Sequence, residues 1–236
     1  MPIHDVDNPV RHIALPWVTW LLIAINILVW LTVNALDNQG QMATVATIAH
    51  IGGPLPEWTS QVTGPLAEVS LPGPVSALTS AFLHLDFWHL AGNLAFLWVF
   101  GDNVEDALGH ARFFVFYALC AIAASYAEAF FSPGFFILGA SGALSGVVAA
   151  FVMLHPRVRL WALVLMKFPI AVPAIWLIAA WAVFQVFNVL VQDTDAGVAW
   201  WAHIGGAVAG AILLPFLKHS DVPLFDRGVT LKPDEG

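Results

Sequence analysis

GVAWWAHIGGAVAGAILLPFL, residues 197–217, contains no Asp, Glu, Lys or Arg and is long enough to cross a bilayer, yet places His203 inside it. A span needs about 20 apolar residues at 1.5 Å of rise each. An ionisable side chain at that depth is costly and marks a candidate functional position. Gly206 and Gly210 are four apart and form a face of small residues on which a neighbouring helix can approach closely, and His203 shares that face.

The rest of the chain fits this reading. Its 236 residues are 59% hydrophobic and only 10% charged, with a mean hydropathy of +0.80. Ordinary globular chains carry about 25% charged residues. So few charges cannot cover a water-soluble domain of this size, and the remaining surface must face lipid. The net charge of −8 and the absence of a basic stripe argue against nucleic acid as a partner. The single cysteine, Cys120, lies in an apolar run and reads as a small core residue. Residues 1–16 carry acids, histidines and prolines, without the apolar core of a cleaved signal peptide.

Six apolar segments stand out, at 17–35, 87–101, 112–131, 141–155, 170–191 and 197–217. The second and fourth are short for a span. The connections predict a loop over 36–85 and a turn at 132–140, while 157–169 is apolar but basic, as an interfacial stretch would be. The basic residues are Arg11, Arg112, Arg157, Arg159, Lys167, Lys218, Arg227 and Lys232. With six crossings all of them share one side, and by the positive-inside rule that side is cytoplasmic and holds both termini. The expected organisation is therefore a cytoplasmic segment 1–16, an all-α six-helix membrane domain over 17–217, and a cytoplasmic tail 218–236.

Polar groups at membrane depth select three places. In Gly139-Ala140-Ser141-Gly142 a serine stands between glycines where the fourth helix begins. Glycine lets a chain turn tightly and a substrate approach, and a helix start leaves free N–H groups that can stabilise an oxyanion. Counting helical rise from His155 puts Ser141 roughly 9 Å below the outer edge, and His203 about 5–8 Å deep. The matching depths predict that imidazole and hydroxyl meet. Position 143 is Ala, so the G-x-S-x-G elbow of soluble hydrolases is absent. The third place is the stretch from His84 to Asn93, in which His89 and Asn93 share a helix face and can both donate to a developing oxyanion. Aromatic and histidine side chains of a membrane entry would look similar. No HExxH pattern accompanies the histidines, so neither a metal nor another cofactor is expected. No acid lies mid-span to orient the base, so the chemistry read from these residues is that of a Ser–His pair.

GASG at 139–142, AHIGGAVAG at 202–210, HLDFWHLAGN at 84–93 and FGDNVEDALG at 100–109, in this order, resemble the rhomboid intramembrane serine proteases. The resemblance covers roughly 17–217. It implies a Ser141–His203 dyad, an oxyanion hole of His89, Asn93 and the Ser141 backbone N–H, structural roles for Glu105, Gly139, Gly142, Gly206 and Gly210, and His84 near the mouth of the site. It further implies a partly membrane-embedded first loop and transmembrane protein substrates cut after a small residue. Two departures stand out. The Trp-Arg pair that many members carry in the first loop is replaced by Gly73-Pro74-Val75-Ser76, and Ser145 stands where some members stack an aromatic ring on the histidine. The competing reading is a catalytically silent relative that binds and routes membrane proteins; such relatives generally lack the serine or the histidine. The compact form is expected in a bacterial cytoplasmic membrane.

Overall fold

The computed structural model describes residues 12–49, 71, 73–132, 137–164, 168–191 and 197–225. Over these residues the chain folds into α1 (Trp17–Asn34), α2 (Asn38–Ile48), α3 (Gly73–Thr79), α4 (Phe87–Leu108), α5 (His110–Phe131), α6 (Ser141–Leu154), strands β1 (Arg159–Val164) and β2 (Phe168–Pro173), α7 (Ala174–Val191) and α8 (Trp200–Leu217).

The outside of this bundle is more apolar than much of its inside. On α1 the buried residues are Thr19, Leu22 and Asn26, while Leu21, Leu28 and Leu31 are exposed. On α7 the buried residues are Ala174, Gln185 and Asn188, and Trp176, Val183, Phe184 and Phe187 face outward. A water-soluble protein does not leave so much contiguous apolar surface bare. Among the described residues four helices, α1, α5, α7 and α8, are long and apolar enough to cross a membrane.

The other two expected spans exist as helices but differ in kind. α4 extends beyond residue 101 to Leu108 and carries Asp102, Glu105 and Asp106 near its end, which lowers its hydropathy. α6 has only 14 residues, about 21 Å of rise. It is buried on nearly every side, as a helix sheathed by protein rather than lipid would be.

The all-α expectation fails between α6 and α7. Residues 159–164 and 168–173 pair as an antiparallel hairpin, with Arg159 opposite Pro173 and Val164 opposite Phe168. Pro169 and Pro173 disfavour helix at their own and the preceding positions, so the helix expected from residue 170 begins at Ala174. The expected first loop, 36–85, contains α2 and α3, and α2 opens with Asp37 accepting from the Gly40 N–H. Residues 50–70 and 72, the expected turn residues 133–136, the 192–196 connection and both chain ends lie outside the described residues.

α8 is the axis of the assembly and packs most extensively on α5 and α6. The α6–α8 contact is backbone against backbone. A Cβ on Gly206 would collide with the Gly142 carbonyl oxygen, and one on Gly210 with Gly146. Such close approach is what the small-residue faces permit. It fixes the spacing of the helices that bear Ser141 and His203.

Glu105 locks one end of the bundle. It is fully buried, and its carboxylate accepts hydrogen bonds from the N–H groups of Val18 and Thr19 and from Thr19 Oγ1. The two N–H groups are orphan donors of the first turn of α1, at the positive end of its dipole. His110 Nδ1 contacts the carboxylate at 2.5 Å, on the oxygen that also accepts from Val18. Next to it Asp106 accepts from the His12 and Ile13 N–H groups, and His12 Nε2 reaches Asp221 at 2.9 Å. The His12 ring stacks on His219.

Candidate active site

The site lies at the opposite end of the bundle, where α4, α6 and α8 start. Each start has a local cause. Asp86 caps α4 by accepting from the His89 N–H at 2.9 Å. That cap sets the register that turns His89 and Asn93 to one side. α6 starts after Gly139, whose φ of +107° places it in a region open mainly to glycine. A Cβ there would also lie 2.6 Å from His89 Cε1. α8 has no cap of its own. Instead the buried carboxylate of Glu128, from the end of α5, accepts from the Ala202 N–H at 2.9 Å.

These starts bring the predicted residues together. Ser141 Oγ lies 2.9 Å from His203 Nε2. Ser141 is the first residue of α6, so its N–H has no partner within the helix. Ser141, His203, His89 and Asn93 line one cavity of about 280 Å³, with Trp88 and Trp181 among its walls. Asn93 is buried and its Nδ2 has no hydrogen-bond partner among the described residues. Buried donors are nearly always paired, so this amide is free to meet an acceptor in the cavity that Ser141 lines. Among the described residues no group of histidine, cysteine and carboxylate side chains is placed to hold a metal ion.

His84 departs from its expected position near the mouth. It is buried, does not line the cavity, and its ring meets His89 edge-on at 5.1 Å. Its Nε2 faces the Ala140 N–H at 3.5 Å, so it backs the loop that presents the serine. Gly142 and Gly206 form the helix contact behind the site, and Gly210 continues it. Glu105 stands apart, at the other end of the bundle.

The geometry adds residues that the sequence reading passed over. Gln185 of α7 places Oε1 2.7 Å from His203 Nδ1. Trp181 and Trp200 flank the imidazole, with ring centroids 6.1 and 6.2 Å away. Ser145 turns its hydroxyl onto the Ser141 carbonyl and leaves the histidine alone. The signal for Gln185 was present. It is one of two amides, with Asn188, in a span of otherwise apolar residues, and the rule that selected His203 selects both.

The rhomboid domain profile matches residues 73–220, more than half of the chain. The chain belongs to the rhomboid family. The matched region holds every residue of the cavity just described. The chain is 34% identical to rhomboid protein 1, mitochondrial, of Saccharomyces cerevisiae over 58% of its length and 40% of the yeast protein. It is 29% identical to the mitochondrial RHOMBOID-like protein 12 of Arabidopsis thaliana over 57% of its length and 44% of the plant protein. A shorter match, 41% identical over 31% of this chain and 14% of the other, links it to the rhomboid protease GluP of Bacillus subtilis. The chain therefore aligns with less than half the length of each relative. As a rhomboid it is a membrane protein with transmembrane helices. The bacterial cytoplasmic placement expected from compactness does not stand. The longer of these matches are to proteins named as mitochondrial, which overturns that expectation. Compactness of the bundle reports on packing and carries no information about which membrane holds it.

Proposed function

We propose that this rhomboid is an intramembrane serine endopeptidase that cleaves transmembrane proteins. One observation carries the reading: Ser141 Oγ stands 2.9 Å from His203 Nε2 inside a cavity that also holds the Asn93 amide, whose Nδ2 meets no partner among the described residues. That distance is within reach for a general base acting on a nucleophile.

In the proposed reaction His203 Nε2 takes the hydroxyl proton as Ser141 Oγ attacks the scissile carbonyl carbon. The carbonyl oxygen becomes an oxyanion and accepts hydrogen bonds from Asn93 Nδ2, His89 and the Ser141 N–H. Collapse of the tetrahedral intermediate breaks the C–N bond, and His203 delivers its proton to the leaving amine. Water, activated by the same imidazole, then hydrolyses the Ser141 ester. The substrate's helix must unwind locally, because backbone carbonyls held in a helix are not open to attack. The name of the Bacillus subtilis relative, a rhomboid protease, supports the same activity here.

The proposed membrane domain is 17–217, with six crossings formed by α1, α4, α5, α6, α7 and α8. α4 and α5 are joined through Gly109 alone, whose φ of +77° permits a tight reversal. Arg112 donates to the Leu217 carbonyl at the end that also gathers His12 and Asp221, away from Ser141. The positive-inside rule assigns that end, with both termini, to the cytoplasmic or matrix side. The catalytic cavity then opens toward the opposite face.

The test is a purified chain in proteoliposomes with a transmembrane substrate and a fluorophosphonate probe. Wild type cleaves the substrate and takes the label at Ser141, and Ser141→Ala does neither. Binding of substrate without cleavage or label would instead favour a silent relative that routes membrane proteins.

A further inference from the structure

α7 is apolar except for two amides, Gln185 and Asn188, and both are buried against the bundle. Asn188 satisfies its own helix by donating to the Phe184 carbonyl at 2.7 Å. Gln185 does something else. Its Nε2 lies 3.4 Å from the Trp181 carbonyl and its Oε1 lies 2.7 Å from His203 Nδ1. A carbonyl can only accept, so the NH₂ end belongs on Trp181 and the oxygen end on the imidazole. The oxygen cannot donate, so Nδ1 carries the proton. The lone pair of the neutral ring is thereby placed on Nε2, the atom facing Ser141 Oγ.

We propose that Gln185 is the positioning residue for the general base, holding His203 in the tautomer and orientation that can deprotonate Ser141. The inference rests on the protease reading above. It fills the place left open by the absence of a mid-span acid and by Ser145, whose hydroxyl is committed to the Ser141 carbonyl. An amide suits this setting. A carboxylate would have to be desolvated among apolar side chains, at a cost an uncharged acceptor does not incur. The contact also favours the transition state. As Nε2 takes the serine proton the ring becomes cationic, and the Nδ1–H···Oε1 bond becomes charge-assisted and stronger. Trp181 and Trp200 sit beside the ring and restrict its tilt, while Gln185 is the described side chain that meets Nδ1.

The experiment compares wild type, Gln185→Met and Gln185→Glu in the full chain. Met keeps the shape without an acceptor, and Glu keeps the acceptor. In proteoliposomes Gln185→Met lowers kcat by about 10- to 100-fold, the scale of one buried hydrogen bond lost, with KM within about twofold. Gln185→Glu keeps an acceptor oxygen and recovers part of that loss, short of wild type because its carboxyl must be desolvated. Nitrogen NMR of labelled His203 shows a single Nδ1-protonated tautomer in wild type and a mixture in Gln185→Met. Unchanged kcat in Gln185→Met overturns the proposal. Equal losses in both variants accompanied by equal falls in melting temperature also overturn it, because they describe a packing role. A wild type that neither cleaves nor labels defeats the protease reading instead, and the tautomer measurement still decides whether Gln185 governs the imidazole.

Discussion

The two ends of this bundle treat buried polar groups in opposite ways. Around Glu105 the carboxylate is saturated by two backbone N–H groups, a hydroxyl and His110, so that α1, α4 and the start of α5 are tied together. Around Ser141 the network stops short. His203 is held on both nitrogens, but the neighbouring Asn93 amide donates to nothing described. A fold gains from completing its polar networks, because a half-satisfied one costs more than an apolar core. Asn93, whose Nδ2 meets no acceptor among the described residues, lines the same cavity as Ser141 and His203, where a bound carbonyl would supply one.

Substitutions at the two ends should separate activity from stability. The largest effect belongs to His203→Ala, which is expected to lower the cleavage rate at least about 1000-fold, because members of such a unit act together. Its melting temperature in detergent should stay near that of wild type. Loss of folding in that variant would mean that the two ends are not separable. Asn93→Ala comes next, with a kcat lowered roughly 10- to 1000-fold, as for a lost oxyanion donor. Because the deleted amide has no partner, thermal stability should hold or rise slightly. A normal rate would remove Asn93 from the oxyanion hole.

The opposite pattern is expected at the other end. Glu105→Ala leaves several buried donors without an acceptor, each worth about 1–3 kcal/mol, and should lower the melting temperature markedly. Glu105→Gln keeps an acceptor and should lose less. Any residual folded protein should still react with a fluorophosphonate, since Glu105 lies away from the cavity.

The smallest effect concerns pH. The Asp221 carboxylate, with Asp106 beside it, holds the His12 imidazolium above its usual range, and His12 holds Asp221 below the usual carboxylate range. The folded state thus binds the His12 proton more tightly than the unfolded chain does. That contribution is full below the ordinary histidine range and is lost as pH rises through the raised value. The Asp221 contribution has the reverse sign, present above the ordinary carboxylate range and lost as pH falls. The clasp is strongest between the two, in mildly acid solution. Both groups are solvent-exposed, so the effect is small. Melting curves at pH 5.5 and 8 should show a modest loss of stability at the higher pH that His12→Gln abolishes. An equal loss in the variant would place the pH dependence elsewhere.

Much of this was legible in the chain because lipid is a demanding solvent. Apolar runs, the side on which basic residues gather, and the few polar residues tolerated at depth are all one-dimensional properties. Ser141, His203, His89, Asn93 and Glu105 could be picked out by sequence pattern or by likeness to the rhomboids. The departures had local causes: two prolines turned the residues before α7 into a hairpin, and α4 and α6 took shapes set by neighbouring helices rather than by a bilayer's thickness. The sequence by itself determined that the protein lives in a membrane and which side chains are too polar to be there by accident. Only the tertiary structure decided which of those side chains meet. Gln185 and Glu128 are separated from their partners by 18 and 74 positions. Such contacts depend on helix rotation and separation, which packing of α6 against α8 through glycine sets and which no local pattern records.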